Sequence, residues 1–186
     1  MTRTTALLFI LGTGLIYIGF GAFPPRIYTE RNVQAKLKLL AEQPRLWRVA
    51  QSFVILGGIV AAVASIFLPS VFSGTQAARP ATIGAAVFAV GHIPWIWAVG
   101  LRAVHPELFA KGELPGWLFR TYSILVLLGL ASFGVAFWLQ GIYLVLGAGL
   151  FLGALLVLAL YFKFNDMPPF IYYAITLALG LTLLLG

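Results

Sequence analysis

The chain has 186 residues, of which 61% are hydrophobic and only 9% charged, with a mean hydropathy of +1.00. Soluble domains carry roughly 25% charged residues, so a chain this poor in charge cannot cover itself with a water-compatible surface, and lipid must face much of it. The absence of cysteine excludes disulfides, thiolate metal sites, iron–sulfur clusters and thiol nucleophiles. The net charge of +7 sits between apolar stretches, where membrane topology accounts for it without nucleic acid.

Six apolar stretches follow one another, at 5–23, 47–68, 81–101, 117–139, 142–162 and 168–185. Each is close to 20 residues, enough to cross about 30 Å of hydrocarbon at about 1.5 Å per residue. None alternates in polarity as a barrel strand does, which leaves helices as the way to satisfy the backbone in lipid. The expected fold is all-α, with residues 1–186 forming a single integral membrane domain, a polytopic bundle of about six spans.

The first span carries Gly12, Gly14, Gly19 and Gly21, a surface nearly free of side chains, and ends at Pro24–Pro25. Met1–Thr5 also resembles a signal-peptide n-region. Cleavage would place the cations between Arg26 and Arg48 outside, against the positive-inside rule, so the first helix is expected to be retained. In the segment that follows, Val33, Leu37 and Leu40 share one stripe while Arg31, Gln34, Lys38 and Glu42 lie off it. That pattern predicts a short amphipathic interfacial helix, either lying on the inner leaflet with its lysines toward anionic lipid or packed over the mouth of the bundle.

Pro44 precedes the second span and Pro69 closes it, with Gly57, Ala61 and Ser65 at four-residue spacing and Gly58 and Ala62 beside them. Pro80 opens the third span, which carries Ala85 and Ala89, and Pro115–Gly116 precede the fourth. Trp117 and Trp138 bracket that fourth span, about 32 Å apart on a helix, as expected of rings anchored at two interfaces. Gln140–Gly141 reads as a tight turn, Gly149 and Gly153 mark the fifth span, and Asp166 with Pro168 reads as the cap of the sixth. Small-residue stripes are read as packing surfaces within the bundle, since lipid gives helices no hydrophobic drive to associate.

Ten of the twelve lysines and arginines fall on one side of a six-fold threading. They are Arg26, Arg31, Lys36, Lys38, Arg45, Arg48, Arg102, Lys111, Arg120 and Lys163, against Arg3 and Arg79 on the other. The first side is therefore expected to be cytoplasmic, in a bacterial inner membrane, with both termini outside. Phe23-Pro-Pro-Arg-Ile-Tyr28 and Met167-Pro-Pro-Phe-Ile-Tyr172 share Pro-Pro-x-Ile-Tyr at that same side. An inverted repeat would place them on opposite sides, so the match is read as chance.

Ionisable groups within a span are costly and point to function by default. No acid lies in any predicted span; Glu30, Glu42, Glu107, Glu113 and Asp166 all belong to the connections. Coupled transport through a buried carboxylate and catalysis by paired intramembrane acids are therefore not expected. The exception to this poverty is His92, two residues before Pro94, which leaves the Val90 carbonyl without its helical donor. Gly84, Phe88, His92, Trp95, Val99 and Arg102 recur at helical spacing. His92, Trp95, Phe88 and Arg102 form the candidate ligand-binding set. Three readings stand for His92: a neutral buried imidazole bonded to a neighbouring helix, the wall of a pocket for lipid or another ligand, or a lone axial ligand to a porphyrin or chlorin. No other metal site is expected, and no cofactor is strongly implied.

A second candidate set, His105, Glu107 and Arg120, lies at the cytoplasmic mouth together with Lys111 and Glu113. A His and a Glu two residues apart could act as acid and base on a lipid headgroup, or form a solvated loop beside lipid phosphates. Gln51, Ser52, Tyr122 and Ser123 near the same face could add polar lining.

The layout, with its glycine-rich first helix, long charged segment and Leu114-Pro-Gly-Trp-Leu118 opening the fourth helix, resembles uncharacterised bacterial multi-helix membrane proteins grouped as domains of unknown function. The resemblance implies the general plan over most of the chain and no activity, and Gly116 stands where that pattern has a basic residue. The sequence alone is read first as a non-enzymatic accessory or interaction subunit of a larger membrane assembly, whose partners are lipids and other membrane subunits. The alternatives are a small-molecule or lipid-binding protein of the transporter substrate-binding type, a pigment- or haem-associated subunit using His92, and a lipid-modifying enzyme using His105 and Glu107.

Overall fold

The computed structural model describes residues 2–141, 144–164 and 169–185, and among these every regular element is helical. In chain order they are α1 (Thr2–Gly21), α2 (Arg26–Thr29), α3 (Val33–Glu42), α4 (Pro44–Phe67), α5 (Ala78–Val104), α6 (Pro106–Lys111), α7 (Gly116–Gln140), α8 (Leu144–Phe164) and α9 (Phe170–Leu185). Helices α1, α4, α5, α7 and α8 are long and apolar enough to cross a membrane. The sixth expected span, α9, has 16 described residues, about 24 Å of helix. The expected cap at Asp166 and Pro168 lies outside the described residues.

Consecutive long helices run antiparallel, and glycine sets how closely they approach. A Cβ on Gly57 would lie 2.5 Å from the Gly12 carbonyl oxygen, and one on Gly19 would lie 2.6 Å from that of Ala50, so α1 and α4 cross backbone to backbone. Gly84 and Gly91 bring α5 against α7 at Gly129 and Val126, and Gly134 and Gly147 do the same for α7 and α8. Helix α9 lies along α1: Gly180 meets Ala6 near one end, and the Tyr17 hydroxyl donates to the Phe170 carbonyl at 3.0 Å near the other. The long helices therefore follow the order α8, α7, α5, α4, α1, α9, and the two outermost barely touch. Between them runs an apolar groove lined by Leu144, Gly149, Ile175 and Thr182.

The structure alters several expectations. Only Gly12 and Gly19 of the α1 glycines are packing surfaces; Cβ atoms on Gly14 and Gly21 would meet nothing. On α8 the packed glycine is Gly147, while Gly149 and Gly153 face open space. Four-residue spacing identifies a shared face but not which way that face turns. Pro69 falls inside a 3-10 turn, Leu68–Phe72, that continues α4. Pro94 lies within α5, which runs unbroken from Ala78 to Val104; the missing N–H removes one bond from the helix without ending it.

The charged segment after α1 caps one end of the bundle. Asn32 starts α3 by accepting the Ala35 N–H at 3.1 Å. Leu40 is buried and Leu37 packs beside it, in a cluster with Phe23, Ile27, Trp47, Phe109 and Ala110. Of the two positions open to this amphipathic helix, the structure takes the one over the mouth, against α6. Val33, at its start, remains exposed. The two tryptophans of α7, Trp117 and Trp138, both point outward, one near each end.

Candidate functional site

Helix α5 carries two candidate places on one face. The first is an aromatic column in mid-bundle, where Phe88, His92 and Trp95 are all fully buried. Ring centres place His92 4.6 Å from Phe88, 5.7 Å from Tyr122 and 6.3 Å from Tyr173. Trp95 stacks on Tyr122 at 4.7 Å. His92 Nδ1 lies 2.9 Å from the carbonyl of Phe88, one turn back on its own helix. A carbonyl can only accept, so Nδ1 carries the hydrogen and Nε2 presents a lone pair. Its partner is thus its own helix, rather than a neighbouring helix or the Val90 carbonyl.

Nε2 and the indole N–H of Trp95 have no hydrogen-bond partner among the described residues, and both ring edges turn toward Gly58. A Cβ on Gly58 would sit 3.3 Å from Trp95 Cδ1 and 3.6 Å from His92 Cδ2. His92 is fully buried, with the Phe88, Tyr122 and Tyr173 rings around it and Gly58 of α4 against its edge, an enclosure that does not suit a porphyrin or chlorin. The Tyr122 and Tyr173 hydroxyls adjoin one another in the same column.

The second place is a cavity of about 690 Å³ at the end where the basic connections gather. Tyr17, Phe20 and Gly21 of α1, Pro25, Tyr28 and Thr29 around α2, Arg102 of α5, Phe109 of α6, Phe119 of α7, and Pro169 and Phe170 at the start of α9 line it. Arg102 is partly buried, and its Nε is out of reach of solvent and without a hydrogen-bond partner among the described residues. The guanidinium carbon lies 5.4 Å from the Trp95 ring centre and 5.3 Å from that of Phe109, within cation–π range of both. The Trp47 indole N–H fixes the backbone below it, donating to the Arg102 carbonyl at 2.8 Å. Among the described residues the ion pairs are Arg26–Glu30 and His105–Glu107, and Arg102 belongs to neither.

Tyr28 bridges the cavity wall to a buried amide. Burial raises its phenol above the ordinary tyrosine value, while neighbouring Gln51 and the charge of Arg102 act the other way. Gln51 is fully buried, and among the described residues neither its amide atoms nor the Tyr28 hydroxyl makes a hydrogen bond of ordinary geometry. Beside Tyr28, the Glu30 carboxylate accepts from the Asn32 N–H and from Arg26, both at 3.0 Å. The Asn32 bond and then the Arg26 bond hold its pKa below the ordinary glutamate value.

The expected set of four therefore divides: Phe88, His92 and Trp95 belong to the column, and Arg102 lines the cavity. Of the mouth residues, His105 and Glu107 contact each other at 3.2 Å and both are about half exposed. Arg120 is exposed on α7, and among the described residues no ion pair joins it to either. Sequence reasoning passed over Tyr17, Tyr28, Phe109, Phe119 and Tyr173. One signal was available: the Pro-Pro-x-Ile-Tyr segments, read as chance, supply Pro25, Tyr28, Pro169 and Phe170 to the same cavity. Comparison with family models, with curated proteins and with solved structures finds no match to this chain, so the resemblance in layout gains no family.

Proposed function

We propose that this membrane protein binds an amphiphilic small molecule or lipid in the cavity at the Arg102 end, without catalysing a reaction on it. The supporting observation is a cavity of about 690 Å³ whose walls are largely aromatic and whose lining includes a cation, Arg102, with no acidic partner among the described residues. Ligand sites of roughly 300–1,000 Å³ with apolar walls and a few fixed polar groups are the common form for molecules of that kind. The concentration of lysine and arginine at this end supports a cytoplasmic orientation, with the termini outside a bacterial inner membrane. The accessory-subunit reading rests on exposed apolar surface, which lipid covers equally well, so the cavity favours the binding reading.

Gly21 provides the test. It lines the cavity, has ordinary helical backbone, and a Cβ there meets nothing within 4 Å, so Gly21→Phe fills the space without displacing the bundle. Protein purified in mild detergent should release a stoichiometric small molecule on organic extraction, and Gly21→Phe should release little or none. Equal recovery from both, or nothing above the detergent background from either, would overturn the proposal.

A further inference from the structure

We infer that the ligand of this cavity carries a negatively charged head, paired with Arg102, and an apolar tail along Phe20, Phe119 and Phe170. This inference rests on the amphiphile-binding reading and fixes the charge of its head. Arg102 is the charged residue of the described lining. Its Nε is closed off, whereas its terminal nitrogens make no hydrogen bond among the described residues and stay accessible. A cation partly withdrawn from water is costly until an anion compensates it. No described acid does so: Glu30 is held by Arg26 and Asn32, Glu107 by His105, and Glu42 and Glu113 are exposed away from the lining.

A second cation adjoins the wall. Lys36 Nζ lies 5.0 Å from the centre of the Phe109 ring, and the Arg102 guanidinium carbon lies 5.3 Å from the same centre. Two cations thus meet at one lining residue, and neither is in an ion pair among the described residues. Like charges so placed disfavour one another, and an anion relieves both. Helix dipoles do not supply the missing charge. Helices α1 and α5 end at the cavity while α7 and α9 begin there, so their partial charges oppose one another. The side chains set the sign, and it is positive. The remaining walls are largely aromatic, which suits a chain behind the head better than a bare ion.

Arginine pairs with carboxylate and phosphate alike, so the test varies charge at constant chain. The full chain, stripped of bound molecules in a neutral detergent at about pH 8, where a carboxylate is ionised, is titrated by intrinsic tryptophan fluorescence, since Trp95 adjoins Arg102. Gly21→Phe gives the micellar background. The probes are dodecanoate, dodecyl phosphate, dodecanol, dodecyltrimethylammonium and acetate. Both chain-bearing anions are expected to bind about tenfold more tightly than the other three, the factor that one charge-assisted hydrogen bond supplies. Arg102→Gln should bring both down to the level of dodecanol and leave dodecanol unchanged. Lys36→Glu should weaken both several-fold; it lies on the surface helix α3, so it remains informative if Arg102→Gln does not fold. Arg45→Gln, an exposed cation at the same end, should change nothing. A two-chain anionic lipid, didodecanoyl phosphatidylglycerol, distinguishes the sources: tighter binding than dodecanoate assigns the head to a membrane lipid, weaker binding to a free amphiphile, and either supports the charge.

Dodecanol or the ammonium binding as tightly as the anions, or anions unaffected by both Arg102→Gln and Lys36→Glu, would overturn the charge assignment while Gly21→Phe still blocked every chain-bearing probe. Asp166, three residues before Pro169 in the sequence, is the acid outside the described residues. Asp166→Asn should leave the ranking as it is, and an anionic preference that arises only in that variant would overturn the assignment too. Acetate binding as tightly as dodecanoate would overturn the tail. No binding by any probe, with Gly21→Phe indistinguishable from wild type, would overturn the underlying reading as well.

Discussion

His92 and Arg102 lie on the same face of α5, ten residues apart, yet one is sealed and the other borders open space. Around His92 the helices are held together by Gly84, Gly91 and Gly129, so rings from α5, α7 and α9 fill the interior. Around Arg102 the long helices end, α2 and α6 are short, and the aromatic residues line a cavity without filling it. Depth in the membrane makes an ionisable group conspicuous in a sequence, but a ligand needs room, and room appears where helix ends diverge.

The sealed region is expected to be the more fragile. A Cβ on Gly129 would lie 2.8 Å from Phe88 Cβ and 3.0 Å from the Gly84 carbonyl oxygen. Backbone cannot move aside as a flexible side chain can, so Gly129→Leu should destabilise the bundle by more than about 3 kcal/mol. The measurement is the thermal midpoint and monodispersity of purified protein. A well-folded Gly129→Leu protein would mean that α5 and α7 are not packed through this contact.

His92→Leu separates the column from the cavity. The Phe88 carbonyl keeps the backbone N–H of position 92 when the imidazole is removed, so the loss is one of ring packing, about 1–2 kcal/mol. Ligand recovered from the purified protein should be unchanged. Loss of ligand with stability intact would place the binding site at His92, and the division drawn here would fail. Gly58→Ala should be milder. Its Cβ meets Trp95 Cδ1 at 3.3 Å, a contact that a few tenths of an ångström relieves, and about 1 kcal/mol of destabilisation is expected.

These contrasts show what could be read from the residues. The bilayer-crossing helices follow from apolar runs near 20 residues, because hydrocarbon thickness and helix rise leave little freedom. The α5 face from Gly84 to Arg102 follows from helical spacing. The partners of Arg102 do not, because Tyr28, Trp47 and Phe109 come from three separate elements and nothing in their local sequence ties them together. Gln51 drew notice only as a polar residue near a helix end, and the paired Pro-Pro-x-Ile-Tyr segments were dismissed for failing repeat symmetry. Convergence on a cavity does not require symmetry.

The smallest expected effect concerns the rim of the cavity. Tyr28 and Thr29 line it, and the next residue, Glu30, fastens the turn between α2 and α3 through Asn32 and Arg26. Because the folded-state pKa of Glu30 is depressed, the carboxylate's contribution is fully present above the ordinary glutamate value of about 4.5. It is lost as pH falls through the lower, folded value. The carboxylate's partners, Asn32 and Arg26, both belong to this same turn, so the loss should loosen the turn and leave the bundle folded. Limited proteolysis between Arg26 and Lys36, using an acid-active protease, should accelerate as pH drops below about 4.5, whereas Glu30→Gln should be cleaved at a nearly constant rate across that interval. Ligand release that quickens over the same interval in wild type, but not in Glu30→Gln, would tie the rim to the cavity. Release indifferent to pH would confine the clasp to local structure.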